Sequence, residues 1–150
     1  MFSLIITVIS IALVAALAVS TLYFGGDAFN AGSDKAKAAT IVNQAQQIDG
    51  ANTIFRLDTG ALASDLADDL VPEYLASTPQ VNDNISSNSY SLAADGTITL
   101  DTVTATVCDE VNAQVGVDEE VAYSSESELA AQGVQYGCTA NEQFIFSPDA

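Results

Sequence analysis

The sequence offers two kinds of side chain that could do chemistry, a pair of cysteines and twenty acidic residues. Cys108 and Cys138 lie 30 positions apart, and the chain has no His and no CxxC motif. A zinc site and a dithiol redox site are therefore both disfavoured. In a chain that works outside the cytoplasm, one disulfide is the default interpretation. Closing this loop would stabilise the fold by about 3.6 kcal/mol.

Six of the acidic residues form two clusters, Asp65/Asp68/Asp69 and residues 118–120. Carboxylate oxygens suit Ca²⁺, but neither cluster has the spacing of a calcium-binding loop. Paired carboxylates can also act as general acid and base. Because the chain has no His, no Trp and no constellation of polar residues set in an apolar pocket pattern, we expect a solvent-exposed acidic surface instead. We expect no enzyme activity, no metal and no other cofactor.

The charge balance excludes one class of partner. Twenty acidic residues stand against three basic ones, Lys35, Lys37 and Arg56, which gives a net charge of −17. With so few cations to replace the counterions of phosphates, we expect no nucleic acid to bind this surface. Yet 49% of the residues are hydrophobic, and the mean hydropathy is +0.26. Apolar and acidic residues must therefore occupy separate parts of the chain.

The apolar residues are concentrated in residues 1–26, which contain no ionisable side chain. As a helix, this run can span a hydrocarbon core of about 30 Å. Three interpretations are open: a cleaved secretory signal, a permanent membrane anchor, or a helix that leaves the membrane to pack in a polymer. Residues 16–18 could be a cleavage site, but no basic residue precedes the run, as if a basic leader had been removed before Met1. We expect the acidic remainder outside the cytoplasm.

The spacing of apolar residues predicts how the helix continues. Gly25 and Gly26 predict a kink or break within residues 20–27, since each glycine costs about 1 kcal/mol in a helix interior. Apolar residues then recur every three or four positions over 38–55, which predicts an amphipathic helix. Residues 58–60 supply its stop signal.

Shorter elements are expected in the remainder of the chain. Alternating residues on either side of Asp95-Gly96 predict a β-hairpin over 90–100. The other predicted elements are a short acidic helix over 62–70, a strand over 102–107, a helix over 107–116, and strands at 121–124, 134–138 and 144–146.

These elements predict an α+β fold, in which a long N-terminal helix packs on a small antiparallel sheet with a disulfide-bounded C-terminal region. We expect three parts. Residues 1–26 form a transmembrane or polymer-core helix, residues 27–57 continue it as an amphipathic helix, and residues 58–150 form an acidic globular head.

Four features in chain order resemble a type IV pilin, nearer to the type IVb branch. The start Met1-Phe2-Ser3-Leu4-Ile5-Ile6 leads directly into an uncharged helix, and an amphipathic continuation runs to Phe55. The connection LVPEYLASTP over 70–79 resembles the segment that many pilins carry before their sheet. The late pair Cys108 and Cys138 resembles the disulfide that bounds the C-terminal variable region of pilins.

The resemblance implies a structural subunit, not an enzyme. A prepilin peptidase would trim a short basic leader and can methylate the new N-terminus, Met1. The subunit would stay in the inner membrane until an ATPase-driven assembly machinery draws it into an extracellular helical filament of identical copies. The side chains expected to pack in the filament core are Phe2, Leu4, Ile5, Ile6, Val8, Ile9, Leu13, Val14 and Leu17.

One position departs from the family pattern. Most major pilins carry a Glu where this chain has Ile5, and in the family that carboxylate is thought to pair with a neighbour's N-terminal amine. Without it, a buried Met1 ammonium would lack a carboxylate partner, which is costly unless other groups bond to it. Two alternatives therefore stay open: a minor pilin or type II secretion pseudopilin, and a monomeric, membrane-anchored binding domain outside the cytoplasm.

Overall fold

The computed structural model describes residues 2–117 and 126–148. The chain divides into two compact units, residues 1–33 and 34–150. The predicted α+β class, with its small antiparallel sheet, is confirmed. In chain order the described elements are α1 (Phe2–Thr59), α2 (Leu66–Asp69), β1 (Ser91–Leu92), β2 (Ile98–Leu100), α3 (Ala105–Gln114), α4 (Glu126–Ala131), β3 (Tyr136–Cys138) and β4 (Phe144–Phe146).

Helix α1 continues through Gly25 and Gly26, so the predicted break is wrong. Two glycines disfavour the helix by about 2 kcal/mol in total, but each keeps its main-chain N–H as a donor. No proline occurs before Pro72, so nothing removes a helical hydrogen bond outright. The helix stops where predicted. Gly60 has a φ of +79°, and its N–H donates to the Arg56 carbonyl at 2.9 Å.

The four strands form one antiparallel sheet in the order β1-β2-β4-β3. The predicted hairpin is confirmed, because β1 pairs with β2 and places Leu92 opposite Ile98. At its turn, the Asp95 carboxylate accepts the Thr97 N–H at 2.9 Å. Gly96 has a φ of +91°, a conformation that residues with a side chain rarely adopt.

The strand predicted over 102–107 is wrong. Only Val103 forms an isolated bridge, with Ser86, and α3 already begins at Ala105. The backbone turns at Thr102, whose φ is +55°. After that turn a helix, not a strand, places the apolar side chains of this run against the core, so tertiary packing overrides the strand preference of Val and Thr.

The other predicted short elements can be compared where the structure describes them. The helix over 107–116 is present as α3, and the strands at 134–138 and 144–146 are present as β3 and β4. The acidic helix over 62–70 is shorter than expected, since α2 has four residues. The strand candidate at 121–124 lies outside the described residues.

The core of the second unit lies between α1 and the sheet. Fully buried α1 side chains recur at the predicted helical spacing. The second half of α1 therefore belongs to the same compact unit as the sheet. The core cluster includes Ala38, Ile41, Ala45 and Ile48 of α1, Ile98 and Leu100 of β2, Phe144 of β4, and Val107 and Val111 of α3.

Candidate functional site

The first unit presents an uncovered apolar helix. Phe2–Tyr23 is a 22-residue stretch long and apolar enough to cross a membrane, and none of it is buried. By length and composition, such a helix can serve as a membrane anchor or as a signal sequence. The nine predicted core side chains lie here, with exposed fractions from 54% (Ile5) to 85% (Phe2). Soluble proteins rarely expose so large an apolar surface, so lipid or protein must cover it.

The hydroxyl groups of this stretch are compatible with an apolar environment. A hydroxyl that bonds to the preceding helical turn has no need of a partner outside the helix. Three hydroxyls do so at 2.9 Å, Thr7 to the Leu4 carbonyl, Ser10 to the Ile6 carbonyl and Thr21 to the Ala18 carbonyl.

One side of the same helix has a shallow apolar groove of about 370 Å³. It is lined by Ser10, Ile11, Val14, Ala15 and Ala18. Small side chains in such a groove allow the backbone of another helix to approach closely. Val14, with 66% of its side chain exposed, lies within this groove near the middle of the stretch.

The N-terminal position at which most major pilins carry a Glu is apolar in this structure. Ile5 is 54% exposed, and the polar side chains nearest to it in sequence are Ser3 and Thr7. Met1, the expected processed N-terminus, lies outside the described residues.

Within the second unit, a series of hydrogen bonds joins the second half of α1 to Tyr90 and Gln80. The Tyr90 hydroxyl donates to Gln44 Oε1 at 2.9 Å and to the Ile41 carbonyl at 3.3 Å. Gln44 Nε2 in turn donates to the Gln80 carbonyl at 3.0 Å. Burial raises the pKa of Tyr90, so this hydroxyl stays protonated as a donor. Sequence patterns did not predict these hydrogen bonds, because the residues that form them are widely separated along the sequence.

A second polar contact holds the connection that follows α1. Asn52 is 1% exposed, and its Oδ1 accepts the Ala63 N–H at 2.9 Å. The amide occupies a core-facing position of the apolar stripe over 38–55. A lone polar residue in such a stripe is a signal that a buried partner exists.

The predicted disulfide is present and joins α3 to β3. The Cα atoms of Cys108 and Cys138 are 5.4 Å apart, and the bond closes a sequence separation of 30. Both cysteines are buried, with exposed fractions of 6% and 0%. The bridge therefore ties the C-terminal strands to the helix that precedes them.

Asn112 completes the hydrogen bonding of the sheet edge beside that bridge. Main-chain groups of Gln135 and Thr139 are hydrogen-bonded to the segment that contains β4. Because main-chain groups alternate in direction along a strand, the N–H and C=O of Cys138 point away from β4. Asn112 Oδ1 accepts this N–H at 2.8 Å, and Asn112 Nδ2 donates to this C=O at 3.2 Å. One buried amide thus occupies both main-chain groups that Cys138 would offer to a further strand.

Replacing Asn112 by Ala is expected to lower the free energy of unfolding by about 3 kcal/mol, since two buried main-chain groups lose their partners. Urea unfolding of the detergent-solubilised chain, followed by the near-ultraviolet circular dichroism of its tyrosines, measures the change. Gln114→Ala, at an exposed position of the same helix, is the control and should shift stability by about 0.5 kcal/mol or less. Equal midpoints for the two variants would contradict the role of Asn112.

The cluster Asp65/Asp68/Asp69 caps α2. The Asp65 carboxylate accepts the N–H groups of Ala67 and Asp68 at 2.8 and 3.0 Å. The Asp69 carboxylate reaches back to the N–H groups of Ser64 and Asp65 at 2.8 and 3.0 Å. The bond from Ser64 is the main cause that lowers the pKa of Asp69 below its ordinary value. Two of these carboxylates thus bind the chain's own backbone.

The described residues contain no cluster of metal-binding side chains. Within 2–117 and 126–148, no group of three His, Cys, Asp or Glu side chains could hold a metal ion. The second acidic cluster, 118–120, lies outside these ranges. A cleft of about 400 Å³ beside β1 has Asp65 and Tyr90 in its lining, and both side chains are already engaged in the contacts described above.

Two features are therefore available to indicate function, the uncovered apolar helix of the first unit and the disulfide-closed acidic second unit. Comparison of the chain with protein-family models, with curated proteins and with solved structures finds no match.

Proposed function

We propose that this chain is a structural subunit of an extracellular type IV pilus-like filament, which polymerises through its hydrophobic N-terminal helix. The observation that carries the proposal is the apolar stretch Phe2–Tyr23, none of it buried, in a chain that has nineteen of its twenty acidic residues in the other compact unit. The resemblance of residues 1–6, of the connection 70–79 and of the cysteine pair to type IV pilins supports the same function.

In this proposal the helix exchanges one apolar environment for another. Before assembly, lipid of the inner membrane covers Phe2–Tyr23; in the filament, other copies of the same helix cover it. Because lipid is as apolar as these side chains, close packing between helices must favour the polymer. The groove around Val14, with its small side chains, suits such packing. A prepilin peptidase and the inner-membrane assembly machinery are the further partners that the proposal requires.

The competing functions use the same helix differently. A minor pilin or secretion pseudopilin would place it in a tip or a short fibre. A monomeric anchored domain would leave it in lipid permanently. The location of the chain distinguishes these possibilities, because only a filament subunit leaves the membrane in bulk.

Shearing of cells that make the chain is expected to release fibres labelled along their length by an antibody against residues 34–150. Immunogold negative-stain microscopy of the sheared fraction measures this, and immunoblots of sheared and membrane fractions quantify it. Label confined to fibre tips would favour the minor subunit. A chain found in the membrane fraction alone, with unlabelled fibres or none, would overturn the filament function.

A further inference from the structure

Helix α1 has a second exposed face, which lies in the folded unit opposite its buried stripe. Exposed residues on this face are spaced alternately three and four positions apart and extend over about 26 Å of helix. Between Thr40 and Leu57 none of them carries a charge; Asp58, on the same face at its C-terminal end, accepts the Tyr74 hydroxyl at 3.2 Å. We define this charge-free face by Thr40, Asn43, Gln47, Gly50, Ile54 and Leu57.

The charge-free face contrasts with the composition of the chain around it. Of the twenty acidic residues, only Asp27, Asp34 and Asp49 precede position 58, so seventeen lie at or beyond it, and no Lys or Arg follows Arg56. Two copies that approach through the acidic regions repel each other. Two copies that meet through residues 40–57 of this face keep the many carboxylates beyond position 57 out of the contact.

The chemistry of this face also suits close contact with protein. Ile54 and Leu57 are 52% and 78% exposed, which is high for large apolar side chains in a folded unit. Gly50 costs the helix about 1 kcal/mol relative to Ala, yet a Cβ placed there would meet no atom within 4 Å. No contact within the described chain explains this glycine, whereas a second backbone could approach closely at it.

We propose, on the basis of the proposed filament function, that a second copy of this chain packs against the charge-free face. This contact lies in the folded unit and is additional to the burial of Phe2–Tyr23. A membrane surface is a poorer occupant, because amide side chains hold the middle of the face and no basic residue lies between Lys37 and Arg56.

Cross-linking of the full chain in membranes and in sheared fibres tests which surface meets a second copy. Gln47→Cys places a single free thiol on the face, since both native cysteines are in the disulfide. A short bismaleimide is expected to give dimers at least tenfold more efficiently for Gln47→Cys than for Asn141→Cys, an exposed control in the turn between β3 and β4. Equal yields, or products whose mass shows a different protein, would overturn the contact.

A substitution that adds a charge without changing the size of the side chain provides the second measurement, which is the fibre yield. Gln47→Glu is expected to lower the fibre yield about tenfold at low salt and to recover part of it at high salt, because it sets like charges against each other. Asn141→Asp adds the same charge elsewhere and should leave the yield unchanged. A wild-type yield of fibres from Gln47→Glu would contradict the proposed contact without contradicting the filament function. If Gln47→Cys forms cross-linked dimers in cells whose wild-type chain forms no fibres, the proposed contact is supported and the proposed filament function is rejected.

Discussion

Replacement of Val14 by Arg is expected to abolish fibre formation. Val14 lies near the middle of Phe2–Tyr23 and is 66% exposed, so under the proposed function an Arg there enters either the bilayer centre or the helix core of the filament. A charge at the centre of a membrane helix costs about 3 kcal/mol, and a buried charge without a partner in the polymer costs more. The fibre yield in the sheared fraction is the measurement, with the membrane fraction quantified in parallel.

Two controls separate the charge from its location. Val14→Leu keeps the site apolar and should give fibres at the wild-type yield. Asn141→Arg adds the same charge on an exposed turn of the second unit and should also assemble. If Val14→Arg gives fibres at the wild-type yield, the apolar helix is not packed in the filament. If the variant remains in membranes and is missing from fibres, assembly is the step that fails.

Removal of the disulfide is expected to have the largest effect on folding. The double variant Cys108→Ala/Cys138→Ala opens a loop of 30 residues, and the gain in unfolded-chain entropy corresponds to a loss of about 3.6 kcal/mol. The denaturant midpoint of the detergent-solubilised chain should fall while the apolar helix remains in detergent. Near-ultraviolet circular dichroism of the tyrosines isolates the second unit, because four of the five tyrosines lie beyond residue 33.

The matched comparison is the denaturant midpoint of the wild-type chain, measured with and without a reductant. Its midpoint under reducing conditions should approach that of the double variant. In the folded state the bond should resist reduction, since both cysteines are buried. Identical midpoints for the double variant and the oxidised wild type would contradict a stabilising role for the bridge.

Elements with a strong local signal could be predicted from the sequence. The buried positions Ile41, Ala45 and Ile48 follow from helical spacing alone, because burial of α1 depends on which face is apolar. The turn at Asp95-Gly96 also depends on local chemistry, namely an Asp that bonds two residues ahead and a Gly with positive φ.

Predictions failed where more distant residues decide the structure. Two glycines disfavour a helix only weakly, so the helix formers on both sides carry α1 through Gly25 and Gly26. Over 102–107 the Val and Thr residues favour a strand, but packing of the following residues against the core selects a helix. The first error came from giving the two glycines too much weight, and the second could not be avoided from local propensity.

The contacts that fix the second unit were the least predictable. Asn112 and Asn52 both bond to main-chain groups far along the chain, Asn112 to Cys138 and Asn52 to Ala63. Each appears in the sequence as one polar residue within an apolar helical pattern, which indicates that a partner exists but not where it lies. Their identification required the tertiary structure.

The edges of the sheet have a consequence for aggregation. At one edge the Asn112 amide occupies the main-chain groups of Cys138, and at the other β1 is two residues long. Within the described residues, a strand from another molecule would therefore meet a short strand at one edge and an occupied Cys138 main chain at the other. A chain proposed to hold many identical sheets at high local concentration thereby offers few free main-chain groups at these edges, which disfavours cross-β pairing between copies.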